Sequence, residues 1–392
     1  SLRKLVFFVS FLVYNLINAQ APGCANVSTL NPSPICEVGQ CSTIDANYLE
    51  TGQTNSYNVT SVPYAPPFPF VGGTPVSVNT DDVWSPLVNL PFNFCFFGVT
   101  YNTILVGSNG VVTFGGGAYN PGGNCAWSFS QSVPNTAFPI RNSIYGVYQD
   151  INPNVTPTPP ATLSINYQIL GSSPCRTAVI NFSNVPQFSC NNSVGLQTSQ
   201  ILLYETTNVI EVYVKDRTPC TGWNQGNGVI GIQNTAGTLG YTPPGRNTGS
   251  WSATNEAWRF TPAGPSTVTF SWLENGLVIG NSTSLSVCPT VTTTYTAQAT
   301  YAPCGSGSPT VVSSSVTVEV FEGINNQLPN DLSVCDTGAS SYTFDLTQNT
   351  SQVLGTLSPF EHEVEYFNTL ADAEQYNNPI PNPSSYAGFC GE

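Results

Sequence analysis

Oxygen donors dominate the side chains of this chain that could do chemistry. Asn79-Thr80-Asp81-Asp82 and Asp150-Ile151-Asn152 are two short, loop-like clusters of carboxylates and amides, and clustered hard oxygens are what Ca2+ requires. Their spacing is not that of an EF-hand, and Asn and Asp also serve turns by bonding to the backbone. The one metal the sequence suggests is therefore Ca2+, with Asp81, Asp82, Asp150 and Asn152 as candidate ligands; no other cofactor is expected. Catalysis has less to work with. A Ser-His-Asp triad needs a histidine base, and the single histidine, His362, lies among acids in Glu361-His362-Glu363-Val364-Glu365. That run lacks the second histidine of a zinc-protease helix, and its alternation reads as a solvated strand. Glycoside hydrolysis needs two carboxyl groups roughly 5–9 Å apart in one cleft. Asp81, Asp82, Asp150, Glu205 and Glu211 are the available acids, but neighbours on a strand point to opposite faces. That rule separates Asp81 from Asp82, and Glu211 is expected to face solvent on a returning strand. The reading is a protein that is not an enzyme. Tyr64, Phe68, Phe70, Trp84, Trp127 and Trp223 could stack on sugar rings if exposed, although buried aromatics are commoner in sandwiches.

The elements that must position these groups are strands. The chain has 392 residues, which suggests about two to three domains. It carries 22 acids against 8 bases, a net charge of −14, with only 8% of residues charged and 66 glycines and prolines (34 and 32). A nucleic-acid binder needs a basic stripe, and six arginines and lysines remain beyond residue 20, so no nucleic-acid partner is expected. Aromatic and β-branched residues are too plentiful for disorder, and the Ala/Glu/Lys/Leu-rich stretches of a helical bundle are missing. What remains is an acidic all-β chain.

Arg3-Lys4, an apolar run from Leu5 to Ile17 and Asn18-Ala19-Gln20-Ala21 read as a cleaved signal peptide. Thirteen residues at ~1.5 Å rise cover about 20 Å, short of a ~30 Å hydrocarbon core. No later stretch is apolar enough to span, so the protein is expected outside the cell or at its surface. Twelve cysteines fit an oxidising compartment: eight lie between Cys24 and Cys220, then come Cys288 and Cys304, then Cys335 and Cys390. Even counts per block suggest bridges within modules, with Cys288–Cys304 as one pair and Cys335 joined to Cys390 or to a cysteine elsewhere. The pairing of the first eight stays open. With no initiator methionine at Ser1 and an end just past a cysteine, the sequence reads as a piece of a longer chain.

Strand signals recur at short spacing. Leu90-Pro-Phe-Asn-Phe-Cys-Phe-Phe-Gly98 alternates before a glycine break. Tyr101 to Phe114 puts strands on both sides of Asn109-Gly110, a pair whose usual role is a type I′ hairpin turn. Gln200–Glu205 and Val209–Val214 form another hairpin. Further strands are predicted at Ile144–Tyr148, Leu163–Ile169, Thr177–Phe182, Gly228–Ile232 and Ala257–Phe260. Strands of this length with Pro-rich connections predict a β-sandwich. Past it, Thr267–Trp272, a Glu274-Asn275-Gly276 turn, Ser284–Ala299 and Ser313–Val320 form a smaller module. Asn325–Glu392 opens a third unit, with Ala371–Glu374 its only predicted helical turn.

The run PFNFCFFGVTYNTILVGSNGVVTFGG resembles the nidogen-type extracellular domain, and IYGVYQDINP, QILLYETTNVIEVYV and GVIGIQN are similar to that family's successive core strands. With SYNVTSVPYAPPFPF at its start and NEAWRFTP at its end, the region also resembles the N-terminal parts of large surface proteins of gliding, Bacteroidota-type bacteria. The later modules resemble immunoglobulin/PKD-like and other repeats of such proteins. The resemblance implies an exported, type IX-secreted adhesin or motility-associated surface protein, engaging secretion and cell-surface attachment machinery. Its ligand is unspecified: a glycan, a protein or an abiotic surface. The expected organisation is a signal peptide over 1–19, a large nidogen-like β-sandwich over 20–262, an immunoglobulin-like β-sandwich over 263–321 and the start of a β-rich repeat over 322–392. The alternative is an accessory carbohydrate-binding region of a secreted hydrolase whose catalytic domain lies beyond residue 392.

Overall fold

The computed structural model describes residues 22–35, 39–76, 80–115, 118–321, 329–335, 337–355, 357–360 and 362–388. The leader, Cys36, Asn79 and Cys390 fall outside them. The chain packs as two compact units. The first holds the described residues up to Leu30, Asp45–Leu285 and Tyr295–Val316; the second holds Asn31–Ile44, Ser286–Thr294 and the described residues from Thr317 on.

Two antiparallel sheets make the sandwich of the first unit. One has seven strands, in the order Tyr57–Ser61, Ala253–Pro262, Ile210–Arg217, Asn191–Tyr204, Thr177–Gln187, Ser164–Leu170 and Thr74–Pro75. The other has six: Gly240–Tyr241, Val229–Gln233, Ser143–Tyr148, Val111–Phe114, Val99–Gly107 and Val88–Phe96. Val88–Phe96 shows why the fold is a sandwich. Val88, Leu90, Phe92, Phe94 and Phe96 are buried while Asn89, Pro91 and Asn93 are exposed, the two-residue period of a strand with one wet face. Its aromatics meet Ile104, Ile144, Ile180, Phe182, Ile201, Val212 and Phe260 in one core drawn from both sheets.

Part of each outer face is covered as well, which is why the central strand Ser143–Tyr148 is buried at every position. Trp84, Phe129, Val133, Phe138 and Ile140 pack on Leu105, Tyr145 and Tyr148 behind the six-stranded sheet. Behind the seven-stranded sheet lies the proline-rich segment around Tyr64, Phe68 and Phe70. That segment is anchored by a ladder of amides at paired positions on adjacent strands. Asn181 Nδ2 donates to Asn166 Oδ1 at 2.9 Å, and Gln200 Nε2 donates to Asn181 Oδ1 at 2.8 Å. Asn166, Asn181 and Gln200 also donate to the carbonyls of Phe70, Pro69 and Phe68. A proline-rich strap has carbonyls but few N–H groups, so it docks on donors.

The Asn109-Gly110 hairpin forms, but not as the predicted two-residue turn. Gly107 pairs with Val111, so the loop is Ser108-Asn109-Gly110, and of these only Gly110 takes a left-handed φ, +79°. The type I′ signature is realised at Asn275-Gly276, where Glu274 pairs with Leu277 and both loop residues have positive φ.

Four disulfides correct the expected pairing. Cys24 bonds Cys175 and Cys190 bonds Cys220, whereas Cys41 bonds Cys288 and Cys95 bonds Cys304. The Cys288–Cys304 bridge is therefore not formed, and bridges do not stay within sequence blocks. The cause is strand adjacency. Cys41 immediately precedes Ser42–Tyr48 and Cys288 immediately follows Ser284–Val287, two strands that are neighbours in one sheet. Cys125 is free and buried; Cys335 is exposed and outside these four bonds.

The smaller module contributes a four-stranded sheet ordered Leu277–Gly280, Val268–Glu274, Thr293–Tyr301, Thr310–Val318. Tyr342–Phe344 pairs with Tyr386–Gly388 in the second unit. The expected helical turn appears as Leu370–Glu374, capped by the Thr369 hydroxyl, but Thr350–Leu354 is a second one. His362 is exposed, as predicted, but lies outside any strand, its backbone N–H donating to Ser358 O at 3.0 Å. Among the described residues no helix is long and apolar enough to cross a membrane.

Candidate metal centre

Three of the four predicted oxygen donors converge. Carboxylate oxygens of Asp81, Asp82 and Asp150 lie within 4.8 Å of one another. The alternation rule that separates Asp81 from Asp82 does not apply, because the pair sits in a turn and Asp82 has φ +54°. A left-handed residue swings both carboxylates toward one side. Next to it, Val83 and Trp84 are clipped to the hairpin: Ser108 N donates to Val83 O at 2.9 Å, and Val83 N donates to Ser108 Oγ at 3.0 Å. Asp150 arrives from the end of the buried strand Ser143–Tyr148.

Asn109, wholly buried, holds the two loops together. Its Nδ2 donates to Asp82 Oδ1 at 2.9 Å and to Cys125 O at 3.2 Å, and its Oδ1 accepts from Ile151 N at 3.2 Å. The three-residue hairpin loop is what frees this side chain. Read as a turn residue, Asn109 gave no functional signal in the sequence, because the loop length that frees its side chain is set by the register of the flanking strands. Trp223 is the other organiser, its Nε1 donating to Asp150 Oδ2 at 2.7 Å.

The electrostatics are those of an uncompensated anionic pocket. Burial, then the charge of Asp82, pushes Asp81 up to about 6. Burial, outweighing the Trp223 hydrogen bond and joined by the charges of Asp82 and Asp81, pushes Asp150 up to about 7. Asp82 is also raised by burial, against its bond from Asn109. Asp81 Oδ1 is sealed from solvent and accepts no hydrogen bond. No Arg or Lys is among the groups acting on these three acids. Hard, converging carboxylates with an unused buried oxygen fit Ca2+, which takes six to eight oxygens and accepts irregular geometry.

The remaining candidates are spent elsewhere. Asn152 Oδ1 accepts from Asn154 N at 2.8 Å, so its side chain closes a turn, the ordinary use of a loop asparagine. Glu205 is held by Arg176, Nε to Oε2 at 2.8 Å and Nη2 to Oε1 at 2.5 Å, and these contacts keep its carboxyl below the usual range against the opposing effect of burial. Glu211 does not face solvent. It is fully buried and accepts from Tyr204 and Tyr213 hydroxyls at 2.7 and 2.9 Å and from Arg259 Nε at 2.7 Å. Of the six aromatics, Trp84 is core; Tyr64, Phe68, Phe70, Trp127 and Trp223 are partly exposed.

A NIDO-related family model matches residues 56–272, more than half of the chain, and a Flavobacterium inter-domain disulphide bond domain matches residues 331–389. No curated protein and no solved structure matches. The two domains support a Bacteroidota cell-surface protein with a NIDO-like module, and with four disulfides they mark an exported chain.

Proposed function

This chain belongs to the NIDO-related family, and from that premise we propose that it is a non-catalytic, exported surface protein that works in adhesion or gliding-associated contact, with Ca2+ held by Asp81, Asp82 and Asp150. The observation that carries this reading is the convergence of three carboxylates with an unpartnered buried oxygen in a disulfide-stapled sandwich. A cation there neutralises charge that otherwise opposes the close approach of the two loops, and so sets the shape of the surface they present. Type IX export and immunoglobulin/PKD-like repeats belong to the same reading, as tandem modules add weak contacts by avidity. Cys335, outside the four described bonds, is the residue the second matched domain's name would assign to an inter-domain bond. The test is attachment of beads coated with the full chain to host, glycan-coated and abiotic surfaces, with Ca2+ or with EGTA, beside a calorimetric Ca2+ titration. Binding of Ca2+ and attachment that EGTA reverses support the reading; a flat titration, or beads that attach to nothing, overturns it.

A further inference from the structure

Between Pro329 and Gly388 the chain carries eight acids, one histidine and no lysine or arginine; every Lys and Arg lies at or before Arg259. No carboxylate there can find a guanidinium or ammonium partner within that segment, so its counter-charge must come from elsewhere. Nor do these acids converge: among the described residues the one group of acids close enough to share a metal ion is Asp81, Asp82 and Asp150. Negative charge spread in this way attracts an organic cation rather than a coordinated ion. The same segment surrounds an open cavity of about 650 Å3, against about 200–280 Å3 for three hollows of the first unit and within the ~300–1,000 Å3 usual for ligand sites. Its walls are Phe344, Tyr366, Phe367 and Tyr386 with Leu332 and Leu346, all half-buried, and the exposed Asp331 also lines it. The walls are fixed from behind. Phe344 and Tyr386 are register partners in the two-stranded sheet, which puts both rings on one face. The Tyr366 hydroxyl bonds Thr350 Oγ1 at 2.7 Å. Asn349, buried, donates from Nδ2 to Asn330 O at 3.0 Å and accepts at Oδ1 from Asn330 N at 3.3 Å, so an amide holds the segment before Asp331 as a neighbouring strand would.

We propose that this cavity docks an extended, arginine-bearing peptide segment of another protein, with the guanidinium on Asp331 and the side chain's stem and plane against the aromatic walls. An aromatic face attracts a cation, and the guanidinium plane stacks on rings while its fork matches a carboxylate. The apolar stem of the same side chain covers the leucine surface between them. Lysine offers the charge without the plane or the fork. An acidic peptide is repelled by the field of this segment, and a neutral ligand leaves the charge unanswered. The site deepens the surface-contact reading above and rests on it for a protein partner, but it uses no Ca2+, so the experiment is run in EGTA.

The full chain is passed over the immobilised peptide Gly-Ser-Leu-Arg-Leu-Ser-Gly and over counterparts with lysine, citrulline or glutamate in place of arginine. Retention is expected on the arginine peptide, weaker on lysine, and absent on glutamate and on citrulline, which keeps the shape and loses the charge. Raising NaCl from about 0.05 to about 0.5 M should weaken it several-fold. Asp331→Asn should weaken it about fivefold, the upper range for an exposed ion pair. Glu363→Gln, the same loss of charge at an exposed position outside the walls, should change it less than about twofold. Phe367→Leu, which keeps apolar bulk and removes a ring, should weaken it about fivefold; should that variant melt early, the exposed Asp331→Asn still carries the test. Equal retention on the citrulline peptide overturns the inference, as do equal losses in Asp331→Asn and Glu363→Gln or a Phe367→Leu variant that folds and binds like the parent. Retention on none of the four peptides overturns it too, while attachment of the coated beads still decides the surface-contact reading by itself.

Discussion

Asp150 and Asp81 carry the most easily tested chemistry. Their carboxyls titrate near 7 and 6 in the folded chain, well above the ~3.9 of an unfolded aspartate. A raised acid binds protons in the folded state that the unfolded chain has released, so in metal-free protein their contribution to stability falls as pH rises from about 4 to about 7. Ca2+ competes with those protons. Its affinity should therefore rise between about pH 5 and about pH 8 and level off above, with proton release on binding near pH 6.5; titrations in buffers of different ionisation enthalpy measure both. An affinity flat across that window would remove the acids from the site. Asn109→Ala deletes a donor to Asp82 and the acceptor for a buried backbone N–H. It should cost about 1–3 kcal/mol of stability by denaturant titration and weaken Ca2+ binding.

Hairpin loops and cross-links decide matters one level up. Asn109-Gly110 and Asn275-Gly276 are the same dipeptide in two different turns. The flanking register sets the loop length, and dipeptide identity cannot reveal it. The difference is measurable. A Cβ on Gly110 would lie 2.0 Å from Val147 O, whereas one on Gly276 meets nothing within 4 Å, although both have φ near +80°. Gly276→Ala should cost about 1–2 kcal/mol, the price of a left-handed alanine; Gly110→Ala should cost clearly more, by at least about 2 kcal/mol. Equal losses in thermal melts would refute the close approach. The Cys95–Cys304 bond closes a separation of 209 residues. Replacing both cysteines by serine should cost about 2–5 kcal/mol by denaturant unfolding, and an unchanged midpoint would show that the bond is not formed.

For the molecule as a whole, Ca2+ at about a hundredfold excess over Kd should add roughly 2.7 kcal/mol to the unit that binds it, read as a higher melting temperature that EGTA reverses. Failure to shift would argue against a folded-state site. Strand identity, the sandwich class and two acidic loops worth watching were legible in the residues, because two-residue alternation and turn chemistry act over a few positions. Val88–Phe96 and Gln200–Val214 declare themselves that way. The disulfide partners, the burial of Glu211 and the role of Asn109 were not legible, since each depends on which distant segments become neighbours. Local pattern thus determined that this chain makes a two-sheet sandwich; tertiary contact alone decided that Asp81, Asp82 and Asp150, separated by nearly seventy residues, share one pocket. The physical reason is range: backbone and side-chain preferences are set by near neighbours, whereas a field of converging charges exists only after the loops that carry them have been folded together.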